Sequence, residues 1–397
     1  MLVFAMAAAF VWVLLLLVWH GFWRADQRLP EAGWQEAEPP PGVLAVIPAR
    51  DEADSIGAVL SAHAATEYPG SFGVIVVDDN STDGTGAIAR DEAAQSHRPI
   101  TVLTGGPLPP GWSGKLWAVH QGIERSDEAP EARYVLLTDA DIRHAPGTLE
   151  RLVAFAEARG LALVSLMARL ETGQGLGRLL VPAYVFFFQK LYPFPAVNDP
   201  HSWHAGAAGG CMLVRREALR SFGGVAAVRD ALIDDCALAA ELKGTRAGGD
   251  RGRRAIWLGL ADDEVVSLRD TGALGTIWET VARTAFPQLH RSWALLILCT
   301  VGMGFLYLSP PLLFLLAPLH GQWGAAIFGL LGWGLMGRAF WPTLRLYGGA
   351  WYHAVALPIA AVVYMLMTLD SARRDLMGRA SPWKGRTYSA MARERQD

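Results

Sequence analysis

At 397 residues the chain can bury one large core and still carry apolar helices outside it, and its 52% hydrophobic content is concentrated toward the two ends. A net charge of −3 withholds the basic field that a nucleic-acid binder needs, so no nucleic-acid partner is expected. Cys211, Cys236 and Cys299 are far apart and form no CxxC pair, so they read as buried or lipid-facing thiols in a reducing compartment.

Residues 2–23, with Leu14-Leu15-Leu16-Leu17 inside, form an apolar stretch of about 20 residues, enough to span a bilayer. No basic residue precedes it and no small-residue cleavage pattern follows, so 1–24 reads as an anchor and not a removable signal. Arg24 and Arg28 come next and favour a cytoplasmic placement for the following domain. A polar linker, 25–42, ends in Pro39-Pro40-Pro41-Gly42. Strand-like and helix-like patterns then alternate, as an α/β sheet requires. Strands are expected at 43–48, 72–77, 100–104, 134–138 and 161–168, and helices at 52–66, 83–95, 115–125 and 146–159. Ser81 or Thr82 is the expected N-cap of the second helix, and Gly160 the stop of the fourth. Residues 176–194 combine Leu179-Leu180-Val181 and Phe186-Phe187-Phe188 with Lys190 and Tyr192. They read as an interfacial helix, an apolar acceptor groove or a buried core segment. Residues 271–293 are a second amphipathic candidate.

Beyond Trp293, segments near 294–318, 322–341 and 350–370 are each about long enough to cross a membrane, with Pro310-Pro311 and Pro358 expected to kink the first and third. The tail, 372–397, carries Arg373, Arg374, Arg379, Lys384 and Arg386 and belongs on the inside. Three full crossings after a cytoplasmic domain would leave it outside. One segment of 294–371 is therefore expected to be re-entrant or interfacial.

Carboxylates sit just past two of the strands, and in an open parallel sheet ligands bind beyond the carboxyl ends of the strands. Asp78 and Asp79 close the second strand, where an acid can accept a base N–H and the next helix N-terminus can face a diphosphate. Asp139 and Asp141 follow Tyr134-Val135-Leu136-Leu137, in reach of one hard divalent cation, Mg2+ or Mn2+. Lys115 is a point charge suited to phosphate. Asp234 and Asp235 open a helix at 236–242, which they cap, serve as a base, or both. His201, His204 and His290 lack paired spacing and read as solvated or supporting groups.

In order, these motifs resemble the family 2 glycosyltransferases with a GT-A fold, across 43–293. Val46-Ile47-Pro48-Ala49-Arg50-Asp51-Glu52 is similar to their opening strand and turn, and the run from Asp78 to Thr85 to their nucleotide-binding run. Asp139-Ala140-Asp141 resembles their DxD motif, and Gly114-Lys115 with Ala118 their GKxxA segment. Asp234-Asp235 with Leu238 is similar to EDxxL with Asp for Glu, and Gln288 to Trp293 to QxxRW with one extra residue before the Trp.

The resemblance implies an α/β, Rossmann-like, mostly parallel catalytic sheet with N-terminal and C-terminal transmembrane helices. It implies a nucleoside-diphosphate sugar, a UDP-sugar for preference, at Pro48, Arg50, Glu52, Asp78, Asp79, Lys115, Asp139, Gln288 and Arg291. It places Mg2+ or Mn2+ at Asp139 and Asp141, and makes Asp235 the general base with Asp234 holding it. Within the family the layout resembles the hopanoid-biosynthesis-associated glycosyltransferases, and next the ceramide glucosyltransferases and those acting on carotenoid acids. That implies a multi-pass protein of a bacterial inner membrane, its catalytic domain facing the cytoplasm, transferring sugar to a lipid such as a hopanoid. A polysaccharide synthase is the alternative, disfavoured by the interrupted QxxRW; a silent membrane scaffold with a retained fold is another.

Overall fold

A computed structural model describes residues 1–34, 40–126, 132–244 and 254–378, with the backbone of 382–383 and 386–387. Two compact units share the chain: one holds 27–170 and 196–269, the other 1–26, 171–195 and the stretch from Asp270 to the end of the last helix.

The first unit is built on strands β1 (Gly42–Ala49), β2 (Phe72–Asp78), β3 (Ile100–Thr104), β4 (Ala132–Thr138), β5 (Ile142–His144), β6 (Leu163–Met167), β7 (Cys211–Arg215), β8 (Ile256–Leu260) and β9 (Val265–Ser267). Seven of them form one sheet in the order β3-β2-β1-β4-β7-β6-β8, and β5 pairs antiparallel with β9. Neighbours in the large sheet run parallel except at β7, which is antiparallel to β4 and β6. This is the GT-A sheet, mostly parallel. Every residue of β1 is buried, as helices on both faces of a parallel sheet require. Alternate residues of β2 serve opposite faces: Val74 and Val76 pack with Ile47 and Leu136, while Ile75 and Val77 pack with Ala118.

Register decides what reaches the carboxyl edge. Ala49 lies opposite Asp78, Val46 opposite Leu137, and Thr138 opposite Cys211 at the start of β7. The ends of β1, β2 and β4 are therefore level with Gly209 and Gly210.

Two helix starts differ from expectation. The helix expected from residue 52 begins at Ile56, because the N–H groups of Glu52 and Ala53 are taken by Thr85 Oγ1 (2.8 Å) and Asp83 Oδ2 (2.9 Å). Neither Ser81 nor Thr82 caps the helix Thr85–Gln95: its N-cap is Gly84 at φ +97°, and Asp83 Oδ1 accepts from the Thr85 N–H. Ser81 and Thr82 bind Asp51 instead. Gly160 does end its helix, in the left-handed region at φ +59° with its N–H on Glu157 O.

In the second unit the N-terminal helix is Leu2–Leu17, only 16 residues and about 24 Å at 1.5 Å per residue, short of a bilayer core of ~30 Å. Left-handed backbone at His20 and Gly21 folds the remainder back, and Trp23 Nε1 donates to Leu16 O at 3.0 Å. Segments Trp293–His320 and Trp351–Leu376 are long and apolar enough to cross a membrane. The first carries a π-helical turn, Gly304–Leu308, just before Pro310-Pro311, which lack the N–H groups a regular ladder needs. The second opens with a 3-10 turn, Trp351–Ala356, ahead of Pro358.

Between these two segments lies the helix Trp323–Leu346, packed closely through small residues. A Cβ on Gly329 would lie 2.7 Å from Phe314 N. The stretch expected at 176–194 is the helix Gly177–Leu191: Phe186 is buried against Phe22 and Phe340, and the half-buried Phe187 packs on Tyr307 and Tyr364. Helix Leu274–Gln288 buries Ile277, Val281 and Phe286, the face its periodicity predicts. Part of the linker (35–39), tail residues Arg379 and Lys384, and the side chain of Arg386 lie outside the described residues.

Candidate active site

At the carboxyl edge the β1 and β2 turns are laced together. Asp51 N donates to Ser81 Oγ at 3.0 Å, and Thr82 N donates to Asp51 Oδ1 at 2.7 Å. Asp51 and Asn80 hold left-handed backbone at φ +49° and +56°, a conformation non-glycine residues keep only where surrounding bonds fix it. Asp78 Oδ1 accepts from Ser81 N at 3.0 Å, and Gly105 N donates to Asp78 O at 2.8 Å. Asp79 is fully buried, and Arg50 Nη1 lies 3.4 Å from its Oδ2. A Cβ on Gly86 would lie 2.2 Å from Asp78 Oδ2, so the bare backbone there makes room for that carboxylate.

A cavity beside this edge is lined by Pro48, Lys115, Asp139, Gly209, Asp234 and Asp235 among others. Lys115 Nζ lies 2.8 Å from Asp139 Oδ1 and 3.8 Å from Asp234 Oδ2. Burial alone would lower the ammonium's pKa, but the Asp139 and then the Asp234 carboxylates outweigh it and hold Lys115 well above its ordinary value. Asp235 Oδ2 accepts from Gly209 N at 2.9 Å, and its Oδ1 from Cys236 N at 2.7 Å. Burial first, then the charge on Asp234, push its carboxyl up to about 6 against the opposing pull of Lys115. Asp234 and Asp235 open the helix Asp234–Lys243 from inside its first turn, and neither side chain is its N-cap.

The Asp139–Asp141 turn is fixed from three sides. Ser55 Oγ donates to Ala140 O at 2.9 Å, and Leu268 N donates to Asp141 O at 2.8 Å. Thr138 Oγ1 donates to Gly210 O at 2.8 Å and so accepts from the buried His144 Nε2 at 3.0 Å. Burial, and then the neighbouring His63, hold His144 well below its usual value. Asp141 Oδ2 lies 3.1 Å from Arg269 Nε, and Arg269 Nη2 lies 3.3 Å from Glu52 Oε1. Burial raises the Asp141 carboxyl; Arg269 opposes it. Asp139 and Asp141 supply hard oxygen donors on one turn, the donor type that Mg2+ or Mn2+ takes, so the residues present fit such an ion. Among the described residues no group of three His, Cys, Asp or Glu side chains is arranged to hold a metal by itself. An ion there would need further oxygens from water or a ligand.

Ten expected site residues thus come together in one unit: Pro48, Arg50, Glu52, Asp78, Asp79, Lys115, Asp139, Asp141, Asp234 and Asp235. Gln288 and Arg291 belong to the other unit, where Gln288 Nε2 donates to Tyr192 OH at 2.8 Å and Arg291 pairs with Asp375 at 3.2 Å. Arg269 had no signal in the sequence; it is 217 positions from Glu52 and reaches it only because β9 pairs with β5. His204 is engaged with Ser202 at 2.8 Å and stacked on Trp203.

The family described as Glycosyl transferase family 2 matches residues 44–223. No curated protein matches the chain. Among solved structures, a mannosyltransferase from Pyrobaculum calidifontis, in complex with GDP-Man and Mn2+, is 20% identical over 91% of this chain and 99% of its own, with a TM-score of 0.48. Glucosyl-3-phosphoglycerate synthase from Mycobacterium tuberculosis, in complex with phosphoglyceric acid, is 20% identical over 67% of this chain and 87% of its own, with a TM-score of 0.42. Mannosyl-3-phosphoglycerate synthase from Rubrobacter xylanophilus is 22% identical over 55% and 65%, with a TM-score of 0.33. With the family match lying across β1 to β7 and the motif acids gathered at one edge, the chain carries a glycosyltransferase family 2 domain and is a glycosyltransferase.

Proposed function

We propose that the enzyme moves one sugar, with inversion, from a nucleoside-diphosphate sugar, preferably a UDP-sugar, to a membrane lipid at the cytoplasmic face of a bacterial inner membrane. The observation that carries this reading is Asp235: a carboxyl raised to about 6, fixed by Gly209 N–H, facing the same cavity as Asp139 and Lys115. Asp235 takes the proton from the acceptor hydroxyl as that oxygen bonds to the anomeric carbon. The bond from that carbon to the diphosphate oxygen breaks, and the electron pair leaves with the nucleoside diphosphate. Lys115 is placed to meet phosphate charge, Asp234 to hold Lys115 and Asp235 in register. Asp78 and the turn it fixes meet the nucleoside, with Arg50 steadied by Asp79. Asp139 and Asp141 would hold Mg2+ or Mn2+, which offsets charge on the leaving diphosphate when bound.

A lipid acceptor, a hopanoid or another polycyclic or long-chain lipid, is supported by the apolar second unit. Phe10, Leu17, Leu298, Leu319 and Ile327 are exposed there, as expected of side chains that face lipid. Detergent-purified protein, incubated with UDP-glucose or UDP-N-acetylglucosamine, membrane lipid extract and Mg2+ or Mn2+, is expected to yield a lipid heavier by one sugar by mass spectrometry. Product ladders of many sugars would point to a polymer synthase. Intact lipids with no nucleotide released from folded protein would overturn the reading.

A further inference from the structure

Both acids of the Asp139–Asp141 turn already face a cation of the protein, but the two cations are held differently. Lys115 is wedged between Asp139 and Asp234, with under a quarter of its side chain exposed (23%). Arg269 joins Asp141 to Glu52, has 40% of its side chain exposed, and lies two residues past the short β9 strand. Its backbone is pinned independently of its guanidinium, by Arg269 N on Ser267 Oγ at 3.3 Å and Leu268 N on Asp141 O. The side chain can therefore swing out without disturbing the turn, and a divalent cation on Asp141 would replace the positive charge that its departure removes. A divalent cation at Asp141 and the Arg269 guanidinium would compete for one carboxylate.

We propose that Arg269 is the resident counter-cation of the Asp139–Asp141 site, holding Asp141 and Glu52 until a divalent cation takes Asp141, and then turning to the donor's diphosphate. The inference rests on the reading of Asp139 and Asp141 as the cation site. It makes Arg269 a positioning residue before the donor binds and a binding residue after it. Planar and bidentate, a released guanidinium suits a diphosphate better than an ammonium does.

The test is Mn2+ binding followed by the electron paramagnetic resonance of the free ion, for the full-length wild-type protein, Arg269→Ala, Arg269→Gln, Arg269→Lys and Arg143→Ala. Thermal midpoints check folding. Without nucleotide, Arg269→Ala and Arg269→Gln are expected to bind Mn2+ about two- to fivefold tighter, the scale of one partly exposed ion pair, while Arg269→Lys and Arg143→Ala stay near wild type. With Mn2+ saturating, the first two are expected to bind UDP about five- to tenfold more weakly. Wild-type binding with unchanged or weaker Mn2+ affinity in folded Arg269→Gln overturns the Arg269 role and leaves the metal reading standing. No Mn2+ binding by any of the proteins, with or without UDP, overturns the metal reading and this inference with it.

Discussion

Asp235 titrates against two neighbours of opposite effect, and this sets the pH behaviour expected of the enzyme. A base must be unprotonated to accept the acceptor's proton, and burial with Asp234 places half-protonation at about 6. Activity should therefore rise with pH through about 6 and level off above it, read as kcat/KM across pH 5 to 8. Asp235→Asn keeps the shape of the side chain and removes the base; turnover is expected to fall about 10²- to 10⁴-fold in folded protein. Retained turnover would transfer the role elsewhere. Lys115→Met removes the influence that lowers Asp235, so the acid limb should move to higher pH while the donor KM rises. A loss of activity with the limb unmoved would mean that Lys115 acts on the donor alone.

At the scale of elements, two contacts connect fold to site. Gly86 is the second residue of the helix Thr85–Gln95, where any Cβ would meet the Asp78 carboxylate at 2.2 Å. Gly86→Ala should displace Asp78, weaken nucleotide binding by calorimetry and cost about 1–2 kcal/mol of stability, within the common range for strained substitutions. Unchanged UDP affinity would detach Asp78 from nucleotide binding. Beneath the sheet, Glu157 on the helix Thr148–Ala158 bonds to the Tyr134 hydroxyl and lies 2.9 Å from Arg215 and 2.8 Å from Arg133. Burial would raise its carboxyl, but these partners outweigh burial and hold it below the ordinary Glu range. A depressed carboxylate contributes stability above its unfolded pKa, about 4.3, and loses it as pH falls through the lower folded value. Glu157→Gln is expected to cost about 1–3 kcal/mol in urea unfolding at pH 7 and to lose part of the wild type's weakening in acid. Equal acid sensitivity in both proteins would assign that loss to other carboxylates.

For the molecule as a whole, the second unit bears on the awkward count of crossings. Ala5, Ala317 and Ala325 meet at one end of its helices, whereas Leu296, Phe286 and Ala372 meet near the start of Trp293–Met303. The segment Trp293–His320 runs from the second cluster to the first, and the last helix ends back at the second. In a membrane this returns Arg373 and Arg374 to the side of Trp293, as a re-entrant 3-10 turn at Trp351–Ala356 would allow. With Cys211, Cys236 and Cys299 replaced by alanine, Gly321→Cys and Gly378→Cys are expected to react with an impermeant thiol reagent from opposite sides of sealed vesicles. Labelling from one side would discard the crossing.

By itself the sequence determined whatever depends on near neighbours. Apolar β-branched runs ending in acids set the strands and put Asp78, Asp79, Asp139 and Asp141 at their carboxyl ends, because period and turn chemistry are local. Local reading misplaced two helix starts, since Ser81 and Thr82 were taken up by Asp51 across the β1–β2 boundary and Gly84 was left to cap. Only the tertiary structure decided that β7 lies antiparallel beside β4, which brings Gly209 N–H to Asp235, and that β9 pairs with β5, which delivers Arg269 to Asp141. Strand order is settled by how all the faces bury at once, and no single segment carries that information.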